Sequence, residues 1–436
     1  MKEMLAANCR LAASALLMVS ALAIGGSASR PDFELALTAL ALACLLTDLW
    51  LVHPIQRNSI IKWIILLVAI VPMLQLIPLP EFLWTTLPQA EVARNLPLGA
   101  PDATFRKTLT INPDSTLYSF LVTIPALVAL WMASGLSRRD QTILLGLFVI
   151  GVISSAILGI FQSAGGMSMQ IYQDSHRGVA TGLFASRNHF VDLLILGVPV
   201  VFYLSLSYKI AENRSLIIAA LCSMSLILFA SVIGSASRTG LILFASTFLV
   251  CTILYIEPST RLRFSFLSLA AIAFLGSALY LAPKTGYIKV ISDRLSTEGE
   301  ARWEIWRNSL EAAKMFLPWG SGSGTFTQAY MITEPLKSMR FSYINAAHNE
   351  YLQFFLENGY IFIAQLMILA LIFLKIIARR DTSRQVLLLA VCFSAIIVHS
   401  LDDYPFRVLA LNIPFSILVG CILGKLDTCK NRAFQG

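Results

Sequence analysis

Apolar residues in this chain run in long unbroken stretches, separated by short polar breaks. Neither strand-like alternation nor a heptad pattern interrupts them. A helix crossing a bilayer core needs about 20 apolar residues. Reading with that length predicts spans at 11–29, 33–53, 61–80, 116–136, 141–163, 189–208, 215–234, 239–256, 264–282, 351–375, 385–401 and 408–424. Three polar breaks are longer than the rest, at 81–115, 164–188 and 283–350, and all three fall on one side of the predicted bundle. The expected fold is therefore an all-α polytopic membrane protein. It has about 12 transmembrane helices and a large outer loop containing amphipathic helices.

Composition supports this class. The 436 residues are 57% hydrophobic and 13% charged, against about 25% charged in an ordinary soluble domain. The net charge of +8 would suit a nucleic-acid binder if it were clustered. Here the basic residues sit at span ends, which is a topology and lipid-headgroup signal, so membrane lipids and no nucleic acid are expected as partners. Each connection on the inner side carries at least two basic residues, among them Arg138 with Arg139 and Arg261 with Arg263. That places both termini in the cytoplasm, with the first span retained as an anchor. Of the seven Cys, Cys9 and Cys429 lie near the inner face and the others fall in spans. No disulfide framework or Cys-based metal site follows from that placement. There is no internal repeat of 20–50 residues.

Candidate chemistry collects on the outer side. In the 283–350 loop, Thr297 and Glu300 have capping-box spacing and open a predicted helix over 298–316. Trp303, Trp306, Leu310, Ala313 and Leu317 would share one face, and Arg307/Glu311 would form an i,i+4 pair. The face suits either a membrane-surface helix with Trp at headgroup depth or a lid over a sugar, with Trp303 in contact. Pro318, Gly320, Gly322 and Gly324 then stop the helix. Their loop is either a plain turn or a donor of backbone N–H groups to phosphate.

The next segment, Asn345-Ala-Ala-His348-Asn349-Glu350, leads into the tenth span. A helix over 347–375 would be about 43 Å long, more than a bilayer core needs, with a kink expected at Gly359. His348 then sits at the membrane–water boundary. His176, His189 and His399 are also on the outer side, and none has HExxH spacing, so no metal is expected. Arg238 in GSASRTG and Arg187 in ASRNHF open two spans, where an Arg must pair or face a cavity. Arg294, Arg302 and Arg407 are further candidates for anion binding. Asp402-Asp403 reads as a solvated turn, as partners for a nearby Arg, or as acid/base groups.

A transferase working outside the cytoplasm needs a donor activated before it crosses the membrane, and a lipid diphosphate fits. Arg can stabilise its anionic leaving group, and a boundary His can take the proton of an acceptor hydroxyl. No cofactor is called for.

SRTG at a span start, R-W-x-x-W ahead of P-W-G-x-G-x-G-T-F, and A-H-N-E-Y-L-Q-F-F-L-E-N-G-Y resemble the bacterial O-antigen ligase and O-antigen polymerase family. G-L-F-A-S-R-N-H-F is similar to an upstream segment of its exopolysaccharide branch and brings in Arg187 and Asn188. The likeness covers about 180–425, with the same twelve-span layout. It implies transfer or polymerisation of glycan repeats from undecaprenyl diphosphate, without metal, at the periplasmic face of the bacterial inner membrane. The acceptor would be a glycan, lipid A core or protein. It also implies that Arg238 binds the diphosphate, with Arg302 or Arg294 as the second Arg, and that His348, beside Asn349, activates the acceptor. Where the family has a second Gly after Glu-x-Gly, this chain has Phe362, which bears on the local kink.

The implied domains are 1–180, N-terminal spans with the 81–115 loop; 181–425, ligase-like; and 426–436, a cytoplasmic tail. The competing reading is a transporter or flippase for a lipid-linked sugar or small anion. That reading calls for two related halves with discontinuous spans, and the sequence shows no such symmetry.

Overall fold

A computed structural model describes residues 2–28, 30–51, 59–95, 107–165, 169–172, 178–207, 214–255, 302–336, 344–378 and 383–433. Among these residues there is no strand. The first helices are α1 (Lys2–Ile24), α2 (Pro31–Leu51), α3 (Ser59–Gln75), α4 (Glu81–Trp84) and α5 (Pro88–Asn95). They are followed by α6 (Pro113–Ser134), α7 (Arg138–Gly165), α8 (Arg187–Ser207), α9 (Arg214–Ser235) and α10 (Arg238–Tyr255). Next come α11 (302–315), α12 (Phe326–Thr333), α13 (Glu350–Ile377), α14 (Arg384–His399) and α15 (Leu409–Ala433). A 3₁₀ turn, Pro405–Arg407, joins the last two.

Among the described residues, seven helices (α1, α2, α6, α7, α8, α10 and α13) are long and apolar enough to cross a membrane. Shorter apolar segments in α3, α9, α14 and α15 match further expected spans. The expected span at 264–282 lies outside the described residues. So do the Thr297/Glu300 capping box, His176 and Arg294.

The bundle is built around α8. Every residue from Phe190 to Tyr203 is buried, and the helix packs against α7, α9, α10 and α14. A helix apolar on all sides is stable only where all sides are covered. On the other flank, α15 packs against α6 and α1, and α6 against α2 and α3. There Arg10 and Asp48 form a buried ion pair at 2.6 Å. Trp131 Nε1 also donates to Asp48, and Arg10 donates to the carbonyl of Gly135. A charge this deep persists only with such partners.

α13 changes character at Gly359, whose φ of 57° and ψ of −140° break the helix inside one run of hydrogen bonds. Before the break, Glu350, Gln353, Leu356, Glu357 and Asn358 are buried. After it, Ile363, Met367, Leu371 and Leu374 are exposed apolar side chains suited to lipid. The expected kink is therefore present although Phe362 replaces the family's second Gly.

A second, smaller core caps the bundle. Val92 of α5, Ile305, Ala312 and Phe316 from α11 and its end, Phe326 and Tyr330 of α12, and Leu356 of α13 pack together. The core packs on a different face of α11 from the Trp303 and Leu310 face singled out in the sequence. Ile305, Ser309, Ala312 and Phe316 face in, while Trp303 and Leu310 are exposed. The small side chains Ser309, Ala312 and Ala313 allow close helix contact, which the bulkier Trp303 and Leu310 would prevent. Glu311 pairs with Lys314 at 2.7 Å rather than with the expected Arg307.

The Gly-rich loop is a docking element. Gly320 N–H donates to Phe316 O, Ser321 N–H to Leu356 O and Gly322 N–H to Glu357 O. Ser323 N–H donates to Gln75 Oε1 at 2.8 Å. Gln75 Nε2 in turn donates to Glu357 O and Asn358 Oδ1. A Cβ on Gly320 would come within 2.4 Å of Glu357 O, so the loop must be this bare to reach the kink. Those N–H groups are engaged by protein carbonyls and a side-chain amide, which leaves the plain structural reading of the loop in place of the phosphate cradle.

Candidate active site

Three helix starts meet under the cap. α8 begins at Arg187, α10 at Arg238 and α13 at Glu350. Ser237 Oγ donates to Asn188 Oδ1 at 3.0 Å and accepts from Gly240 N, so one hydroxyl caps α10 and ties it to α8. Asn349 caps α13, its Oδ1 accepting from Leu352 N at 3.0 Å. Glu350 N–H donates to Ser400 O, which ties α13 to the end of α14. Helix N-termini carry partial positive charge, so this convergence favours an anion.

His348 stands just before the Asn349 cap with φ 49°, left-handed backbone that a non-Gly residue seldom adopts. Trp306 of α11 fixes the preceding peptide, its Nε1 donating to Ala347 O at 3.0 Å. Gln353 Oε1 accepts from Ala347 N at 3.0 Å. The imidazole is one-third exposed, and its Nδ1 lies 3.5 Å from Asp403 Oδ1. That leaves Nε2 as the other ring nitrogen available to a substrate.

Asp402 and Asp403 point to different places. Asp402 receives Arg302 Nη1 at 2.5 Å and Thr239 Oγ1 at 2.8 Å. Because Thr239 follows Arg238, this carboxylate draws Arg302 and the start of α10 to one edge of the site. Asp403 is buried, which corrects the solvated-turn reading. Both backbone N–H groups donate to His399 O, and that turn reverses the two side chains. Burial pushes the Asp403 carboxyl up. His189, His348 and His399 outweigh it, and the group is held well below the usual carboxylate range. Tyr404, buried between two imidazoles, has its phenol pushed up by burial and by Asp403.

The other expected site residues are placed as follows. Arg187 is buried at the start of α8, and Arg238 is exposed at the start of α10. Arg407 Nη2 contacts Glu357 at 3.0 Å and Nε contacts Glu350 at 3.3 Å, with the guanidinium over the Phe354 ring. Burial opposes its charge, and the two carboxylates more than restore it. Arg407 therefore pins α13 to the turn after α14. Trp303 lies edge-on to Trp306, 5.4 Å between centroids, and faces out. Trp306, His189 and Asp403 stand out in the sequence but their contacts here do not; for His189 the signal was the surplus of His on the outer side. Among the described residues no group of His, Cys, Asp and Glu is arranged to hold a metal ion.

Residues 223–364, from within α9 to the first half of α13, match the family described as O-antigen ligase. Over that segment the chain is similar to the O-antigen ligase family. The matched segment contains Arg238, Arg302 and His348, while His189, Asp402 and Asp403 reach it from outside. Two proteins of Acinetobacter baylyi are similar to the chain. One is a ComP-specific O-oligosaccharyltransferase, 27% identical over 263 residues, or 58% of this chain. The other is a general O-oligosaccharyltransferase, 24% identical over 264 residues, also 58% of this chain. The matches cover 45% and 44% of those proteins, less than half of their length. No solved structure matches the chain.

Proposed function

We propose that this protein is a multi-pass glycosyltransferase of the bacterial inner membrane. It would move a glycan from undecaprenyl diphosphate to an acceptor hydroxyl at the periplasmic face, with both termini in the cytoplasm. The observation that carries this reading is the grouping of Arg302, the Arg238 end of α10 and His348 around Asp402-Asp403. Two guanidinium-bearing segments and three helix starts stand where a diphosphate leaving group would need countercharge. His348 stands where an acceptor proton can be taken.

The geometry supports the following roles. Arg302 and Arg238 would bind the diphosphate, with Asp402 holding Arg302 in place before the donor arrives. His348 would accept the hydroxyl proton at Nε2 while Nδ1 faces Asp403. The sugar–oxygen bond to the diphosphate breaks as the acceptor oxygen bonds to the same carbon. Trp303, exposed beside Trp306, is placed to contact either sugar or headgroups. The relatives' names, O-oligosaccharyltransferases, support transfer of a preassembled glycan over polymerisation.

The test is a knockout strain complemented with wild type, His348→Ala or Arg238→Ala, with surface and secreted glycans resolved on gels. Full-length chains stalled on the carrier lipid would support a ligase. Single repeats without long chains would support a polymerase. Normal glycans from both variants, each present in the membrane at wild-type level, would overturn the enzyme reading and favour transport.

A further inference from the structure

Asp403 lies between two imidazoles. His348 Nδ1 at 3.5 Å and His189 Nε2 at 3.7 Å approach the same oxygen, Oδ1. Both rings meet the Tyr404 ring edge-on, at centroid distances of 5.1 and 4.9 Å. The environments differ: His348 is partly open to solvent, whereas the His189 side chain is 4% exposed. One turn further along α8, Asp192 is hydrogen-bonded to His399, both fully buried. The accessible histidine is thus backed by a carboxylate, then a second histidine, then a second carboxylate–imidazole pair.

We propose that His189 is a positioning residue that sets the tautomer and basicity of His348 by sharing Asp403 Oδ1 with it. At 3.7 Å His189 Nε2 faces the oxygen as a charge neighbour rather than as a hydrogen-bond donor, and a carboxylate charge divided between two imidazoles acts less strongly on each. With His189 present, Asp403 keeps the proton of His348 on Nδ1 and the lone pair on Nε2. His189, facing the same oxygen, takes part of that carboxylate's attraction away from His348. Without His189 the full charge of Asp403 acts on His348, which then stays protonated to higher pH. The charged and titratable groups around the set are Asp192 on α8, His399 on α14, Glu350 on α13, Arg407 on the 3₁₀ turn, and Asp402 with Arg302. Asp192 and His399 offset each other through their own hydrogen bond. This inference rests on His348 acting as the base.

Its test does not need turnover. Diethylpyrocarbonate acylates neutral imidazole, and peptide mass spectrometry of the full-length purified protein reads the labelling of His348 against pH. His189→Phe, which keeps an aromatic ring but loses the ring nitrogens, should move the His348 midpoint up by about one pH unit. His189→Gln, which retains a polar N–H group, should leave the midpoint close to wild type. Asp403→Asn should lower it. An unchanged midpoint in His189→Phe overturns the proposal. If that variant is not recovered from membranes, an unchanged midpoint in Asp403→Asn overturns it equally, because the coupling runs through that carboxylate. Failure of the base reading shows elsewhere: His348→Ala would then transfer glycan at the wild-type rate whatever the labelling midpoints do.

Discussion

Asp403 is the residue on which the site's electrostatics turn. Its folded pKa lies below the ordinary value of about 4. A depressed carboxylate contributes stability above its unfolded pKa, and that contribution is lost as pH falls through the folded value. Thermal unfolding in detergent should therefore be insensitive to Asp403 between about pH 5 and 8 and should weaken below about pH 4. Asp403→Asn should flatten that acidic decline, and a decline of unchanged slope would count against the assignment. The same substitution should slow glycan transfer on the order of 10²-fold, since the base loses its orienting partner. This residue was poorly legible in the sequence. Two adjacent carboxylates before Tyr404-Pro405 look like a solvated turn, and only the His399 carbonyl, accepting from both backbone N–H groups, sends Asp403 inward. The helix start after His348 was readable from the length of the apolar run, and Asn349 supplies its cap.

At the scale of elements, the junction between the Gly-rich loop and the α13 kink holds the cap on the bundle. A Cβ at Gly359 would come within 2.1 Å of Pro318 O, and one at Gly320 within 2.4 Å of Glu357 O, both at positive φ. Gly359→Ala and Gly320→Ala should each cost about 2–4 kcal/mol. The check is the melting temperature of purified protein, with Gly165→Ala, where nothing lies within 4 Å, as the control. The kink was legible from the length of the apolar run and one Gly. The face of α11 was not. Trp303 and Leu310 draw attention to the outward face, whereas the packed face is made by Ser309, Ala312 and Ala313, whose small side chains carry little signal. Trp306, at the margin of both faces, joins the cap to the backbone before His348. Trp306→Phe keeps the ring and loses the hydrogen bond to Ala347 O, so it should reduce transfer more than it lowers the melting temperature. Paired transfer and melting measurements test that split.

Across the whole molecule, the spans were legible because bilayer thickness fixes a length that apolar runs display directly. The candidate site was legible only as scattered residues in polar breaks expected on one side of the bundle. Its parts come from the starts of α8, α10 and α13 and the end of α14, and α8 is 207 residues from His399 along its Asp192 contact. No local spacing encodes that approach. The topology has its own test in a background lacking the native cysteines. Trp303→Cys on the exposed face of α11 should react with an impermeant maleimide in intact spheroplasts. Ser137→Cys, between α6 and α7, should react only after permeabilisation. The reverse pattern would invert the orientation and place the site in the cytoplasm.

The most direct test of the central claim is transfer by the purified protein in liposomes, given a polyprenyl-diphosphate-linked oligosaccharide and an acceptor. The quantity to follow is release of polyprenyl diphosphate. Wild type should release it, and both His348→Ala and Arg302→Ala should slow release on the order of 10²-fold or more while remaining folded. Release at the wild-type rate by His348→Ala would contradict the account.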